Sequence, residues 1–174
     1  MDLHPLEVIY DKPHTKEYIV DGKRITVLYN INYCKNINSP TLYSLRDGLY
    51  TYVVHDNFNL VVSKLCPFED GSKHIQLIQK GNKCYIGGEF KKTGNTFYVN
   101  LFSGLFRALN EYNIKYNRMK VFNAILSTFN KHGAYDIRIV NEEIIDLNYY
   151  VDKKIWKLQD LREYPPLEVG GGGD

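Results

Sequence analysis

Four turn sequences, each set between runs rich in Tyr, Val, Ile, Phe and Thr, cut the first hundred residues into strand-sized pieces. In "EYIVDGKRITVLYNI" the turn is Asp21-Gly22, a dipeptide that takes positive φ at little cost and suits a tight hairpin. "GLYTYVVHDNFNLVVSKL" turns at Asp56-Asn57, and "KHIQLIQKGNKCYIGGEF" at Lys80-Gly81-Asn82. "EFKKTGNTFYVNLF" turns at Thr93-Gly94-Asn95. Strands joined this tightly run antiparallel, because a parallel crossover needs a dozen or more residues. The pattern predicts an antiparallel β-meander, either a sheet or a partly closed barrel.

The period then changes. In "NRMKVFNAILSTFNKHG", Val121, Phe122, Ile125, Leu126 and Phe129 fall on one face of a 3.6-residue helix. Asn117 suits its N-cap and Gly133 its C′ position, with Lys131 and His132 favourably placed against the dipole in the last turn. "AYDIRIV" reads as a strand. "NEEIIDLNYY" fits a short helix or a loop with a strand, and "YYVDKKIWKL", with Trp156, an extended piece. Residues 33 to 47 read as one long loop or a short helix. The end, "REYPPLEVGGGGD", has Pro165-Pro166 and then four glycines, so a flexible tail is expected from residue 162. The expected fold is α+β: a mainly antiparallel sheet with one main helix packed on it. It forms one β-rich domain over residues 1–161, followed by the 162–174 tail.

Charge and cysteine content narrow the functional classes. Net charge is +2 and both signs are interspersed along the chain, so no strong field for nucleic acid or an anionic membrane is expected. "KKTGNTFYVNLF" mixes Lys with aromatics as single-strand binders do, and it is the one stretch that points toward nucleic acid. No run of 18 apolar residues suggests a membrane span, and "MDLHPLEVIYDK" has no apolar segment of the secretory kind. Cys34, Cys66 and Cys84 are widely spaced and form no CxxC pair, so neither a disulfide framework nor a zinc site is expected. Reduced thiols in a cytoplasmic setting fit them best. Tyr occurs 15 times, while Ala occurs only at 108, 124 and 134. That bias, with heavy use of Asn, Ile and Lys, follows A/T-rich codons. It suggests the genome of a large DNA virus or another A/T-rich organism, and hence a host cytoplasm or a virion as the setting.

The chemistry-bearing residues gather in the middle of the chain. Gly87-Gly88-Glu89 lies in a strand-like run, where adjacent glycines mark a bulge or a close backbone approach. Ser103-Gly104 ends the next strand, and His74 opens the preceding one. If sheet order follows sequence, His74, Glu89, Asn100 and Ser103 converge on one sheet end. Such a set suits polar-ligand binding or acid–base work. Glu89 is then the base or cation-stabilising group, His74 orients substrate or exchanges a proton, and Ser103 donates a hydrogen bond. Gly87, Gly88, Asn100 and Gly104 are the accompanying ligand-binding candidates. The same residues also fit structural roles, with Glu89 capping a turn and Ser103 starting the loop before the helix.

The order of these pieces resembles a domain of plant calmodulin-binding IQ-motif proteins, also found at the ends of some bacterial toxin-like proteins. There a strand pair of the form "y.v....g.L.v" precedes "HSSFL.GG...AAGE/R", a glycine-containing turn, "SGHY.P", a helix and a final strand "NVDL..V.V". The matching pieces here are "YTYVVHDNFNLVVSK", "KHIQLIQKGNKCYIGGEF", "KTGNTFYVNLFSGLFRA", "RMKVFNAILSTFNKHG" and "AYDIRIV", over residues 49 to 140. His74, Gly88-Glu89 and Ser103-Gly104 match the family's steps. Ile75-Gln76 replaces its Ser-Ser, Leu105-Phe106 its His-Tyr, and Ala108 its Pro. Chemistry carried by the family's "SGHY" histidine is therefore not implied, nor is calmodulin binding, since no IQ motif occurs.

Two functions follow as expectations. The first is a binding or interaction module with a protein partner, a host factor or a virion component, for which the abundant Tyr suits an interface. The second is a small toxin-like enzyme acting on a nucleotide-like or other small polar substrate through Glu89 and His74. No P-loop, GxGxxG or GxSxG pattern supports the second, and no cofactor or metal is implied.

Overall fold

The computed structural model describes residues 1–29, 35–64 and 74–139. Among these, nine strands form one sheet beside a single long helix. The strands are β1 (Leu6–Lys12), β2 (Thr15–Val20), β3 (Lys23–Leu28), β4 (Asn36–Asn38), β5 (Gly48–His55), β6 (Leu60–Lys64), β7 (Lys83–Thr93), β8 (Thr96–Val99) and β9 (Asp136–Ile139). The helix is α1, Arg107–Lys131. The fold is α+β and antiparallel, with β8–β9 the one parallel pair among the described residues. No helix among the described residues is long and apolar enough to cross a membrane. The expectations for Cys34, Cys66, the stretches from Asn141 to Leu158 and the 162–174 tail lie outside the described residues.

Three of the four turns close hairpins. Asp21 and Gly22 both take positive φ (50° and 73°) between β2 and β3, the requirement of a two-residue turn matching strand twist. Asn57 and Phe58 do the same between β5 and β6, and Gly94 between β7 and β8. The turn at 80–82 also forms, with Gly81 at φ 87°, but no hairpin flanks it. Residues 75–77 make a single 3₁₀ turn, so His74 precedes that turn and does not open a strand. The buried side chains of Ile75 and Leu77, with that of Ile78 just after the turn, plug the core beneath the sheet. A hydrophobic run of this length does not separate strand from plug.

Sheet order is β3-β2-β1-β7-β5-β6-β4, so the chain is not sequential throughout. β7 is the longest strand, with 11 residues. β5 pairs along one of its edges. Its other edge is divided: β1 takes Lys83 and Cys84, and β8 takes Phe90 to Thr93.

Both faces of the central strands β5, β6 and β7 are buried. Alternation puts Tyr50, Tyr52, Val54, Leu60, Val62 and Phe90 on one face, packed under Val121, Phe122, Ile125 and Phe129. Phe129 stands edge-on to both Tyr52 and Phe90, with each pair of centroids 5.4 Å apart. Val53 and Val61 face the other way, toward Leu6, Val8, Ile75, Phe106 and Leu109. α1 serves both cores because it breaks at Asn117 (φ −148°, ψ 48°). The segment after the break is the one its apolar period predicted. The segment before it, residues 107–116, was masked by its own sequence, since two of its buried residues are Asn110 and Asn113.

The helix C-terminus clamps the β5–β6 turn. Lys131 Nζ donates to the Asn57 carbonyl at 2.7 Å, and His132 Nε2 lies 3.2 Å from the Phe58 carbonyl oxygen. Burial holds His132 below the usual histidine value, against the raising effect of backbone bonds at Phe58 and Pro40. Burial likewise depresses His55, at the other end of the turn, against a backbone bond at Leu77 and the charge of Asp56. The unfolded chain thus takes up protons on these histidines more readily than the folded one. Stability should be complete above the unfolded histidine pKa of about 6.5 and fall as pH drops through it. Melting temperatures measured from pH 8 to pH 5 should show that fall, and His55→Gln should make it shallower; equal slopes would refute the assignment.

Candidate functional site

The divided edge of β7 is where the candidate residues meet. Where β8 ends, the chain must leave the sheet without stranding the β7 backbone, and Asn100 makes this possible. Its N–H continues the ladder to the Glu89 carbonyl at 2.9 Å. Its own carbonyl turns away to accept the Tyr52 hydroxyl at 2.8 Å. The side-chain Oδ1 takes the vacated place, accepting the Glu89 N–H at 2.8 Å and the Phe102 N–H at 3.1 Å. Asn100 Nδ2 then donates to Glu89 Oε1 at 3.2 Å. A short side-chain amide is suited to this substitution because it carries the same acceptor and donor as the peptide group.

Two further side chains complete the seam. Asn110, on the early part of α1, donates through Nδ2 to the Gly87 carbonyl (2.8 Å) and the Leu101 carbonyl (3.1 Å), tying the departing chain to β7. Its Oδ1 is buried without a hydrogen-bond partner among the described residues. His74 Nε2 donates to the Gly88 carbonyl at 2.8 Å, and its ring stands edge-on to Phe106. Nothing in the sequence motifs singled out Asn110; its signal is the three-residue spacing to Asn113, which puts two amides on one helix face. Asn113 holds the His4 N–H and C=O in a paired bond.

The glycines are required by close packing. A Cβ on Gly88 would lie 2.2 Å from the Asn100 carbonyl oxygen, and one on Gly87 2.3 Å from the Phe106 ring. Gly104 differs: it is exposed, and a Cβ there would meet nothing. Ser103 Oγ accepts the Phe106 N–H at 3.0 Å, which starts the turn into α1. The structure therefore brings together His74, Gly87, Gly88, Glu89 and Asn100, sets Ser103 at the helix entry and leaves Gly104 at the surface.

Burial is nearly complete. Glu89 is 2% exposed, Asn100 0%, Ser103 3% and His74 6%. Cross-strand register adds two hydroxyls to the Glu89 face, because Glu89 pairs with Thr51 and Thr51 with Ser63. Both are buried, and Thr51 Oγ1 donates to the Ser63 carbonyl at 3.3 Å. The result is a transverse polar row across the sheet, carboxylate then two hydroxyls. Neither hydroxyl was foreseen, since a Thr or Ser within a strand gives no signal until the register is known. Among the described residues, no three His, Cys, Asp or Glu side chains are placed to share a metal ion.

Set against protein-family models, curated proteins and solved structures, the chain matches none of them. The likeness to the plant IQ-motif domain rests on the quoted motifs alone.

The two kinds of glycine give a direct comparison. Gly88→Ala should cost about 3 kcal/mol, the upper end for overpacking a close backbone contact. Gly104→Ala should stay within about 0.5 kcal/mol. Urea denaturation of both variants checks this; similar midpoints would contradict the seam.

Proposed function

We propose that this chain is a binding or interaction module whose Glu89 cluster is structural. One observation carries the reading. Asn100 Oδ1, Asn110 Nδ2, His74 Nε2 and Ser103 Oγ each bond a backbone group, and Asn100 Nδ2 joins Glu89 to the seam. A catalytic set needs its donors and acceptors aimed at a reacting atom, whereas these are aimed at β7 and the chain leaving it. The bias toward A/T-rich codons supports a host factor or virion component as the partner.

The competing reading, a small enzyme on a polar substrate, is favoured by the row Glu89–Thr51–Ser63, a carboxylate beside hydroxyls. Two variants separate the readings. Glu89→Gln keeps an acceptor for Asn100 and removes the carboxylate; Glu89→Ala removes both. In a module, Glu89→Ala should lose about 1–3 kcal/mol through the stranded amide. In addition, no nucleotide, sugar or divalent metal should raise the melting temperature of wild type while failing to raise that of Glu89→Gln. A compound that did so would overturn the module reading in favour of the enzyme.

A further inference from the structure

One end of the sheet is built to take another strand. Among the described residues β3 pairs only with β2, in unbroken register from Thr15↔Leu28 to Val20↔Lys23. Its six residues are exposed except the half-buried Val27, with Ile25 36% and Leu28 77% exposed. Proteins usually blunt such an edge with proline, a bulge or inward-pointing charge, because its free N–H and C=O groups template pairing. β3 has no proline and no register break, and its two charges, Lys23 and Arg24, sit together at the turn end.

A groove lies beside this edge. Val20 and Ile25 on the hairpin and Ala108, Leu109 and Tyr112 on α1 line a cavity of about 330 Å³. A strand added to β3 would direct alternate side chains toward it, since Ile25 and Lys23 share the face that lines it. The charge pattern selects the occupant. β3 carries two cations and no acid. Arg24 meets Glu17 only at 3.8 Å, and the one acid at the groove's lip is Asp21, in the turn. Two copies of β3 paired antiparallel would set each Lys23–Arg24 end against the other strand's Val27–Leu28 end, with no acid on either strand to meet the cations. An acidic partner relieves that charge.

We propose that β3 accepts an extended segment of a partner protein as a further antiparallel strand. Its acidic C-terminal end lies along Lys23 and Arg24, and an apolar side chain enters the groove. Backbone bonds supply the pairing and the groove supplies specificity, as in other cases of strand addition. The inference rests on the module reading and names the chemistry of its partner.

The probe is a fluorescein-labelled peptide that alternates valine and threonine and ends in two glutamates, titrated with the full chain and read by anisotropy. Saturable binding at micromolar concentrations is expected. It should weaken at least tenfold in Lys23→Glu/Arg24→Glu, both exposed positions, and recover in that variant with a peptide ending in two lysines. Ala108→Trp, an exposed position at the groove, should also weaken it about tenfold. Equal binding by wild type and the charge-reversed variant would overturn the proposal, as would no binding by folded wild type at millimolar peptide. A concentration-dependent dimer in sedimentation, lost in the charge-reversed variant, would also overturn it and assign the edge to a second copy. Failure here leaves the module reading standing, because that reading falls only to a ligand response that depends on the Glu89 carboxylate.

Discussion

The fold depends on the Asn100 side chain standing in for a peptide group at the divided edge of β7. A central strand with neighbours at both ends of one edge has a stretch between them whose N–H and C=O groups need partners, since each buried, unpaired backbone group costs about 1–3 kcal/mol. Asn100 Oδ1 takes the Glu89 N–H and Asn110 Nδ2 takes the Gly87 carbonyl, so two side-chain amides supply partners within that gap. With those partners in place, the chain can leave β8 and start α1 over the core instead of extending the sheet.

Much of the surrounding packing follows from this exit. The Asn100 carbonyl and the Tyr52 hydroxyl need the space above Gly88, and Phe106 needs the space at Gly87, so two consecutive glycines sit in a central strand that otherwise favours large residues. α1 begins against the second core with Phe106 and Leu109, breaks at Asn117 and ends against the first core with Phe129. Its C-terminal Lys131 and His132 then hold the β5–β6 turn. The two cores share the sheet and the helix as common walls, so disturbance of the seam is felt on both faces.

The same economy bears on function. A glutamate, a histidine, a serine and an asparagine placed near one another resemble a site, and their types and order were readable in the chain. Their directions were not. Each could face a ligand or a backbone group, and hydrogen-bond partners decide which.

By itself, the sequence determined the local events. Asp21-Gly22, Asn57 and Gly94 fold as turns because Asp, Asn and Gly accept positive φ, and Val121 to Phe129 form a helix because their period is 3.6. Only the tertiary structure decided what non-local pairing controls. It put β7 between β1 and β5, made residues 75–77 a plug instead of a strand, and extended α1 back to Arg107 through buried asparagines. It also brought Thr51 and Ser63 beside Glu89. The physical reason is the same in each case: a turn or a helical face is specified by neighbours a few residues apart, while register and the partners of a buried amide depend on groups far along the chain.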